Sequence, residues 1–409
     1  MQLTQLINAA LLALGAATVE AGPLVKPSAA ASPSTALSLA NATLEQISQN
    51  ALTVAKARIP SNSTCTPDKL SVRKWWGDLT ADERIEYSNA VLCLQKTKAK
   101  TPSALAPGAK TRYDDWVVTH INQTNYIHFS ASFLTWHRWF TWEYEQALRN
   151  ECGYTGAQPY WDWTKTAETG LEQSPLFDGS ATSLSGNGAA VKYNATDHVI
   201  INGATEAPTI LPPGTGGGCV TSGPFANMTV NLGPDGLSLL NGKSDNSSYP
   251  FAHNPRCLKR SLTDEANQRF ANATSVRQLL TGPTDLLDFE LTMQGYPNTD
   301  ELGVHGGGHF SLGGDPGRDL YVSPGDPAFF VHHANVDRIW WQWQMLEPAS
   351  RTAGATAVAG PVTMYDSLEP HRNGTLEDVM DLGFVAPGAE KKIGELLSTT
   401  GGPFCYVYE

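Results

Sequence analysis

The sequence predicts a mainly α-helical protein in which long loops and a few short strands surround the helices. The clearest helix covers residues 132–150, where Phe133, Trp136, Phe140 and Tyr144 recur at spacings of three and four. The 409 residues include 37 Gly and 26 Pro, and only 17% are charged, against roughly 25% in an average soluble protein. A chain of this length can bury a large core as one elaborated domain or as two.

The N-terminal 21 residues are typical of a secretory signal peptide. Their apolar stretch is too short to span a bilayer, and it ends in small residues at Ala21. Residues 22–40 are rich in Pro, Ser and Ala, and residues 22–64 are predicted to form a flexible lead-in. Residues 65–409 then form the main domain.

Apolar periodicity, caps and turn residues predict the elements of the main domain. The first half contains a helix within 71–97 with its N-cap at Thr80, a helix over 111–122, the helix over 132–150 and an irregular excursion over 165–255. The second half contains helical periodicity over 258–291, a helix from Asp326-Pro327 to about Leu346, and strand-like pieces ending at Tyr408. In the helix over 132–150, the side chains expected to turn away from the apolar side are Arg138, Thr141, Glu145 and Arg149.

Six cysteines, an even number, indicate three disulfides formed in an oxidising compartment. Six cysteines allow 15 pairings. Our hypothesis pairs Cys65 with Cys405, Cys93 with Cys152 and Cys219 with Cys257, since nested and local closures suit one compact domain.

The net charge and the glycan acceptors indicate which binding partners and which compartment to expect. The net charge of −12 would repel nucleic acid and anionic membranes, so neither is predicted as a partner. The Asn-x-Ser/Thr acceptors, which need exposed loops in the secretory pathway, are Asn41, Asn62, Asn122, Asn194, Asn227, Asn246, Asn272 and Asn373. We therefore expect a secreted, extracellular glycoprotein.

Two groups of three histidines are the strongest functional signal in the chain. Their members are His120, His128 and His137, spaced H-x7-H-x8-H, and His305, His309 and His333, spaced H-x3-H-x23-H. No cysteine or carboxylate lies between them at ligand spacing, so the pattern predicts two metal ions that each keep an open coordination position. The other histidines, His198, His253, His332 and His371, are interpreted as ordinary packing or surface residues.

Copper fits this donor set better than zinc or iron. Neutral imidazole binds both Cu(I) and Cu(II), and three imidazoles without a thiolate leave room for an oxygen ligand. The segment His305–His309 lacks the glutamate of the zinc peptidase motif H-E-x-x-H. Glu143 and Glu145 do not form the Glu-x-x-His pairs of a di-iron site. Asp337, one helical turn after His333, is predicted to anchor a ligand imidazole through Asn335 or Arg338.

Two motifs resemble those of the type 3 copper proteins, which include tyrosinases, catechol oxidases and haemocyanins. They are Phe133-Leu134-Thr135-Trp136-His137-Arg138 and Asp326-Pro327-x4-His332-His333-x3-Asp337-Arg338-x-Trp340, and Tyr406-Val407-Tyr408 resembles the tyrosine motif that closes the catalytic domain. The resemblance implies a four-helix bundle surrounded by loops, with one copper on each histidine group. It is strongest with short secreted fungal polyphenol oxidases, so residues 65–409 are expected to form a catalytic domain without a C-terminal shielding domain.

Departures from the family pattern bear on the substrate range. Tyrosinases that hydroxylate monophenols often carry Asn after the first histidine of the second copper site, where this chain has Gly306; Phe310 follows His309, and Leu320 is expected to gate the pocket mouth. Glu290 and Glu301 both remain candidates for the glutamate that orders the active-site water.

The resemblance implies a copper oxidase that converts o-diphenols to o-quinones while reducing O2 to water. Alternatives are a tyrosinase with monophenol hydroxylase activity, an o-aminophenol oxidase and a haemocyanin-like oxygen carrier. The expected partners are small phenolic substrates and O2, and the expected state is a monomer or weak homodimer.

Overall fold

The computed structural model describes residues 42–59, 64–201, 208–297 and 299–409. The predicted signal peptide lies outside the described residues. The α-helices are α1 (Leu44–Ala57), α2 (Ala81–Leu94), α3 (Arg112–Ile127), α4 (Phe133–Cys152), α5 (Trp163–Thr169), α6 (Asp264–Phe270), α7 (Ala273–Thr281), α8 (Leu286–Gln294), α9 (Gly303–Leu312), α10 (Ala328–Leu346) and α11 (Pro348–Arg351). The strands are β1 (Ser71–Arg73), β2 (Gly188–Ala190), β3 (Val199–Ile201), β4 (Thr209–Leu211), β5 (Gly217–Val220), β6 (Thr229–Val230), β7 (Asp235–Ser238), β8 (Ser244–Asn246), β9 (Arg256–Cys257), β10 (Val379–Asp381), β11 (Glu390–Lys392) and β12 (Tyr406–Tyr408).

Local capping chemistry explains where the principal helices begin. Thr80 caps α2 and exchanges hydrogen bonds with Glu83 in a capping box, and Thr111 does the same for α3 with Asp114. The carboxylate of Asp326 accepts the N–H of Ala328 at the start of α10, at 2.9 Å. The helices predicted at 111–122, 132–150 and 326–346 are confirmed. The segment before Thr80 is different from the prediction, because Ser71–Arg73 is the strand β1.

Helices α3, α4, α9 and α10 form a bundle at the centre of the described structure, which confirms the mainly helical fold. Aromatic side chains fill the space between them. Phe330 of α10 stacks on Tyr144 of α4 with ring centroids 3.5 Å apart, and Trp116 of α3 meets Tyr144 edge-on at 5.5 Å. Such contacts bury large apolar rings, the main favourable contribution to folding.

The expected flexible lead-in over 22–64 is wrong for the part that the structure describes. Residues 44–57 form α1, which begins with a capping box and buries Ile47, Ala51 and Ala55. The hydroxyl of Ser48 accepts a hydrogen bond from Arg338 of α10 at 3.4 Å. The apolar side of α1 packs on α10, which offsets the entropy cost of ordering this segment.

The excursion over 165–255 begins within α5, which ends at Thr169, and then contains short paired strands. Strands β2–β9 form two-stranded ladders: β2 with β5, β3 with β4, β6 with β9 and β7 with β8. All three predicted disulfides are confirmed. Strand β12 pairs in parallel with β1, next to the Cys65–Cys405 bond. Within the described residues, none of the helices combines the length and apolarity that crossing a bilayer requires.

A buried network of charges, which the helical pattern did not predict, joins α4 and α10 to both strands of the β1–β12 ladder. Glu145 accepts two hydrogen bonds from Arg73 at 3.0 and 2.7 Å. Arg138 donates to Asp337 at 2.5 Å, and the hydroxyls of Tyr406 and Tyr408 each donate to Asp337 at 2.6 Å. The expectation that Arg138, Thr141 and Glu145 turn away from the core is wrong, since all three are buried; Arg149 is partly exposed.

Candidate metal centre

The first group of histidines lies where α3 and α4 meet. His120 is on α3, His128 directly follows α3, and His137 is on α4. The ring centroids are 5.2 Å apart for His120–His128, 5.9 Å for His120–His137 and 5.1 Å for His128–His137. One nitrogen from each ring lies within 4.8 Å of the others, close enough for one ion to bind all three.

The second group lies between α9 and α10 and faces the first. His305 and His309 share α9, with ring centroids 4.8 Å apart, and His333 of α10 lies 5.2 and 5.5 Å from them. The His137 and His333 rings stack at 4.3 Å, so the two groups are adjacent. The structure therefore brings together all six predicted ligands.

Backbone carbonyls orient the rings of the first group. The Nδ1 atom of His120 lies 2.8 Å from the carbonyl of Tyr321, that of His128 lies 3.0 Å from Thr124, and that of His137 lies 2.8 Å from Phe133. Because a carbonyl only accepts, each Nδ1 carries the proton and each Nε2 presents a lone pair.

The unpaired nitrogens fit a metal. In the described part of the chain, the Nε2 atoms of His120, His137, His305 and His333 are buried and have no hydrogen-bond partner. Burying such atoms unpaired costs free energy. A metal ion would satisfy them, and the all-imidazole donor set suits copper.

The imidazoles are also in the protonation state that a metal needs. Burial lowers the pKa of every predicted ligand, and neighbouring imidazoles lower most of them further. The pKa of His128 falls to about 4 and that of His309 to about 3. All six rings are therefore neutral near pH 7, as metal binding requires.

His332 lies beside the second group, but its hydrogen bonds indicate a different role. Trp163 donates its indole N–H to Nδ1 of His332 at 3.1 Å. Since indole nitrogen only donates, Nδ1 accepts and Nε2 carries the proton. The ring also lies close to the backbone of His305, and its buried Nε2 meets no hydrogen-bond partner within the described residues. In this tautomer His332 has no lone pair to give a metal, and it supports α9 instead.

The glycines between His305 and His309 allow close packing around α9. A Cβ at Gly308 would lie 2.2 Å from Cε1 of His332, and one at Gly307 would lie 2.7 Å from Cβ of Phe270. These approaches explain why α9 keeps glycines that cost roughly 1 kcal/mol each in a helix. At Gly306 a Cβ would meet only Leu302 of the preceding turn, at 3.1 Å.

Asp337 does not anchor a ligand imidazole, so that expectation is wrong. Its carboxylate accepts hydrogen bonds from Arg138, Tyr406 and Tyr408, and it lies 3.5 Å from Arg73. The helical pattern placed Asp337 correctly one turn from His333, but the residues that bind it come from distant parts of the chain.

The two candidate glutamates lie in different surroundings. Glu290 is buried on α8, which packs against α9, and burial raises its pKa well above the usual range. One turn further along α8, Gln294 accepts the N–H of Phe129, the residue after His128, at 2.8 Å. Glu301 is exposed. The geometry favours Glu290 over Glu301 as a residue of the site.

Phe310 follows His309 on α9, and Leu320 lies in the loop after α9. Phe310 packs against a hydrophobic cluster that includes Val199 and Leu211 of the β3–β4 ladder. Leu320 is 39% exposed, next to the Tyr321 carbonyl that orients His120.

The sequence pattern did not reveal the loop over residues 313–322, which connects α9 towards α10. The backbone of Gly317 hydrogen-bonds to the His309 ring, and the Tyr321 carbonyl binds His120, so this loop contacts both histidine groups. Asp319 shapes the loop by accepting the N–H groups of Tyr321 and Val322 at 2.9 and 3.1 Å. Only the short Asp-x-Tyr spacing could have indicated this turn.

Two facing groups of buried, neutral imidazoles inside a helical bundle define a protein class: an α-helical protein whose core could hold a pair of metal ions. Comparison with known proteins narrows the class. Residues 110–346 match the family model described as the common central domain of tyrosinase.

Relatives and a solved structure agree with this match. Tyrosinase P of Aspergillus terreus is 40% identical over 346 residues, which cover 83% of this chain and 92% of that protein. The N-acetyl-6-hydroxytryptophan oxidase ivoB of Emericella nidulans is 39% identical over 368 residues, 88% and 97% of the two chains. A mutant polyphenol oxidase from Thermothelomyces thermophila is 45% identical and matches with a TM-score of 0.81, covering 90% of this chain and 97% of that one. The chain belongs to the tyrosinase family of type 3 copper proteins and is a tyrosinase-family oxidoreductase.

Proposed function

We propose that the protein oxidises o-diphenols to o-quinones, using one O2 for two catechols and releasing two waters. The observation that carries this proposal is the convergence of six neutral imidazoles on one space, with at least four buried Nε2 atoms left unpaired. In this proposal His120, His128 and His137 hold one copper ion, and His305, His309 and His333 hold the other. A copper pair bound there supplies electron transfer between phenol and O2.

The residues around the imidazoles favour catechols over monophenols. A monophenol must lose its proton to a base within hydrogen-bonding reach before it is hydroxylated. Gly306 offers no side chain that could order a water for this purpose. Glu290 is buried, and burial keeps it protonated to a higher pH than usual. Catechols are more acidic and depend less on such a base.

The relatives support phenolic substrates in general. Their names describe two tyrosinase-type activities, one of them oxidation of N-acetyl-6-hydroxytryptophan. We also propose that the protein is secreted and monomeric or weakly dimeric. Three disulfides and fungal tyrosinase relatives are compatible with secretion. Among the predicted glycan acceptors, Asn122, Asn194, Asn227, Asn246 and Asn373 are exposed, whereas Asn272 is partly buried and caps α7; Asn41 and Asn62 lie outside the described residues.

The test combines copper quantification with initial rates on catechol and phenol. We expect two copper ions per chain and a much higher rate on catechol; equal rates would reject the diphenol oxidase proposal. His333→Asn should lose copper and activity. The matched control His198→Asn, at an exposed histidine, should retain both.

A further inference from the structure

His128 differs from the other predicted ligands in how the chain holds it. The other five lie inside helices, whose backbone hydrogen bonds fix them, and they are His120, His137, His305, His309 and His333. His128 directly follows α3 and has an extended backbone, with φ −124° and ψ 142°. The direction of the His128 ring therefore depends on how the next residues of the chain are held.

Phe129, the next residue, has a backbone conformation that a bulky side chain rarely adopts. Its φ of 46° lies in the left-handed region. Such a conformation persists where the surrounding structure holds it in place. Tyr365 has a similar φ of 53°, and its ring stacks on the Phe129 ring with centroids 4.3 Å apart. Two strained residues thus lie against each other, one of them adjacent to a predicted ligand.

Two separate elements hold Phe129 in this conformation. Gln294, which is buried on α8, accepts the N–H of Phe129 at 2.8 Å. Tyr365 donates its backbone N–H to the carbonyl of Phe129 at 3.3 Å. Both polar groups of the Phe129 backbone are therefore paired with distant parts of the chain. We call the contacts of Gln294 and Tyr365 with Phe129 the Phe129 clamp.

The rest of the link between α3 and α4 is held as well. The carbonyl of Pro361 accepts the N–H of Ala131 at 2.7 Å. The hydroxyl of Ser130 donates to the carbonyl of Tyr126, on the last turn of α3, at 2.7 Å. Held in this way, the link keeps the His128 ring 5.2 and 5.1 Å from the other two rings of the first group.

We propose that Gln294 and Tyr365 are positioning residues for the first copper site, which act on His128 through the strained backbone of Phe129. This inference rests on the copper ligands assigned in the proposed function. Without the clamp, Phe129 would relax to a more favourable φ, and His128 would be free to turn away from its two partners. The second group would not be affected in this way, because all three of its ligands lie inside helices.

Copper titration of the metal-free protein, in competition with a chelator, tests this selectivity. The wild type should bind two equivalents. Gln294→Leu removes the acceptor for the Phe129 N–H, and one equivalent should then bind about tenfold or more weakly, as for other lost partners of metal ligands, while the second is unchanged. Gln294→Glu keeps an oxygen at this position and should restore the affinity. Wild-type affinity for both equivalents in Gln294→Leu would overturn the inference.

Tyr365 offers a test that does not put the fold at risk, because its side chain is 50% exposed. Tyr365→Ala removes the stacked ring and should weaken the same single equivalent by about threefold or more, in the range of a lost aromatic pair. Tyr365→Phe keeps the ring and should bind both equivalents like the wild type. Equal affinities of Tyr365→Ala and Tyr365→Phe would count against the clamp.

A buried glutamine outside the clamp separates positioning from general destabilisation. Gln158 is buried and donates to Tyr87 and to the carbonyl of Pro159. Gln158→Leu should lower the urea midpoint of the metal-free protein but leave both copper equivalents unchanged. If it weakened one equivalent as much as Gln294→Leu does, the positioning role would be refuted.

Hydrogen exchange of the metal-free protein gives a readout that needs neither copper nor turnover. The amide of Phe129 should exchange faster in Gln294→Leu than in the wild type, since its acceptor is gone; equal exchange rates would contradict the clamp. If the variants weaken one copper equivalent but the wild type oxidises no catechol, the positioning role stands and the proposed function fails. If the wild type oxidises catechol and the variants bind both copper ions normally, the reverse holds.

Discussion

Replacing Asp337 by Asn provides the sharpest test of how the site is supported. The change keeps the side chain's shape but removes the charge that Arg138 contacts at 2.5 Å and Arg73 at 3.5 Å. It also presents an amide N–H₂ to a cluster made of donors, since Tyr406 and Tyr408 both donate to the carboxylate. All of these side chains are buried.

The expected loss of stability follows from these contacts. Breaking a buried ion pair costs about 3–5 kcal/mol, because the remaining charge stays buried without compensation. In the variant, Arg138 keeps its hydrogen bonds to the carbonyls of Leu396 and Leu397, and Arg73 keeps its hydrogen bond to Glu145. We therefore expect a loss of unfolding free energy at the lower end of this range, about 3 kcal/mol. With an unfolding entropy of about 0.8 kcal/mol/K for a chain of this length, Tm should fall by about 4 °C.

Scanning calorimetry at one scan rate, with and without copper, measures this effect. The control Glu377→Gln removes a carboxylate from an exposed ion pair with Lys392 and should lower Tm by less than about 1 °C. If Asp337 acted by orienting a copper ligand, the variant would lose copper while the Tm of its metal-free form stayed at the wild-type value. That result would refute the structural role.

Three further substitutions address the residues around the imidazoles. Gly306→Asn should raise the ratio of phenol hydroxylation to catechol oxidation by about tenfold or more, because an ordered base contributes to proton removal and a Cβ there contacts only Leu302; an unchanged ratio of initial rates would contradict this. Gly308→Ala should destabilise the protein by about 1–3 kcal/mol, since its Cβ would overlap the His332 ring, and urea unfolding should show a much smaller effect for Gly306→Ala. Glu290 holds its proton to a higher pH in the folded protein than at its unfolded pKa near 4.5, so the metal-free wild type should lose stability as the pH rises above 4.5. The variant Glu290→Gln should lose less stability over the same pH range. If the urea midpoints of wild type and variant changed equally between pH 4.5 and 7.5, this reasoning would be contradicted.

The loop over residues 313–322 supports the site in a way that the histidine spacing does not show. Its backbone contacts one histidine of each group. A substitution of Asp319, which accepts the N–H groups of Tyr321 and Val322, should therefore disturb the loop's contacts with both histidine groups.

Local properties of the sequence were sufficient to predict much of this protein. Helix periodicity and caps depend on residues a few positions apart, so α2, α3, α4 and α10 could be predicted closely. The histidine spacing predicted which rings would converge, because each group lies on one or two neighbouring helices. The even number of cysteines and their order were enough for the correct disulfide hypothesis.

Only the tertiary structure decided which charged side chains pair and which remain free. Asp337 binds Tyr406 and Tyr408, 69 and 71 positions away, and Arg138, 199 positions away. Periodicity reports which side of a helix is apolar, but it contains no information about a partner on another element. The same reason applies to the burial of Glu290 and the docking of α1, since burial depends on what the rest of the chain brings alongside.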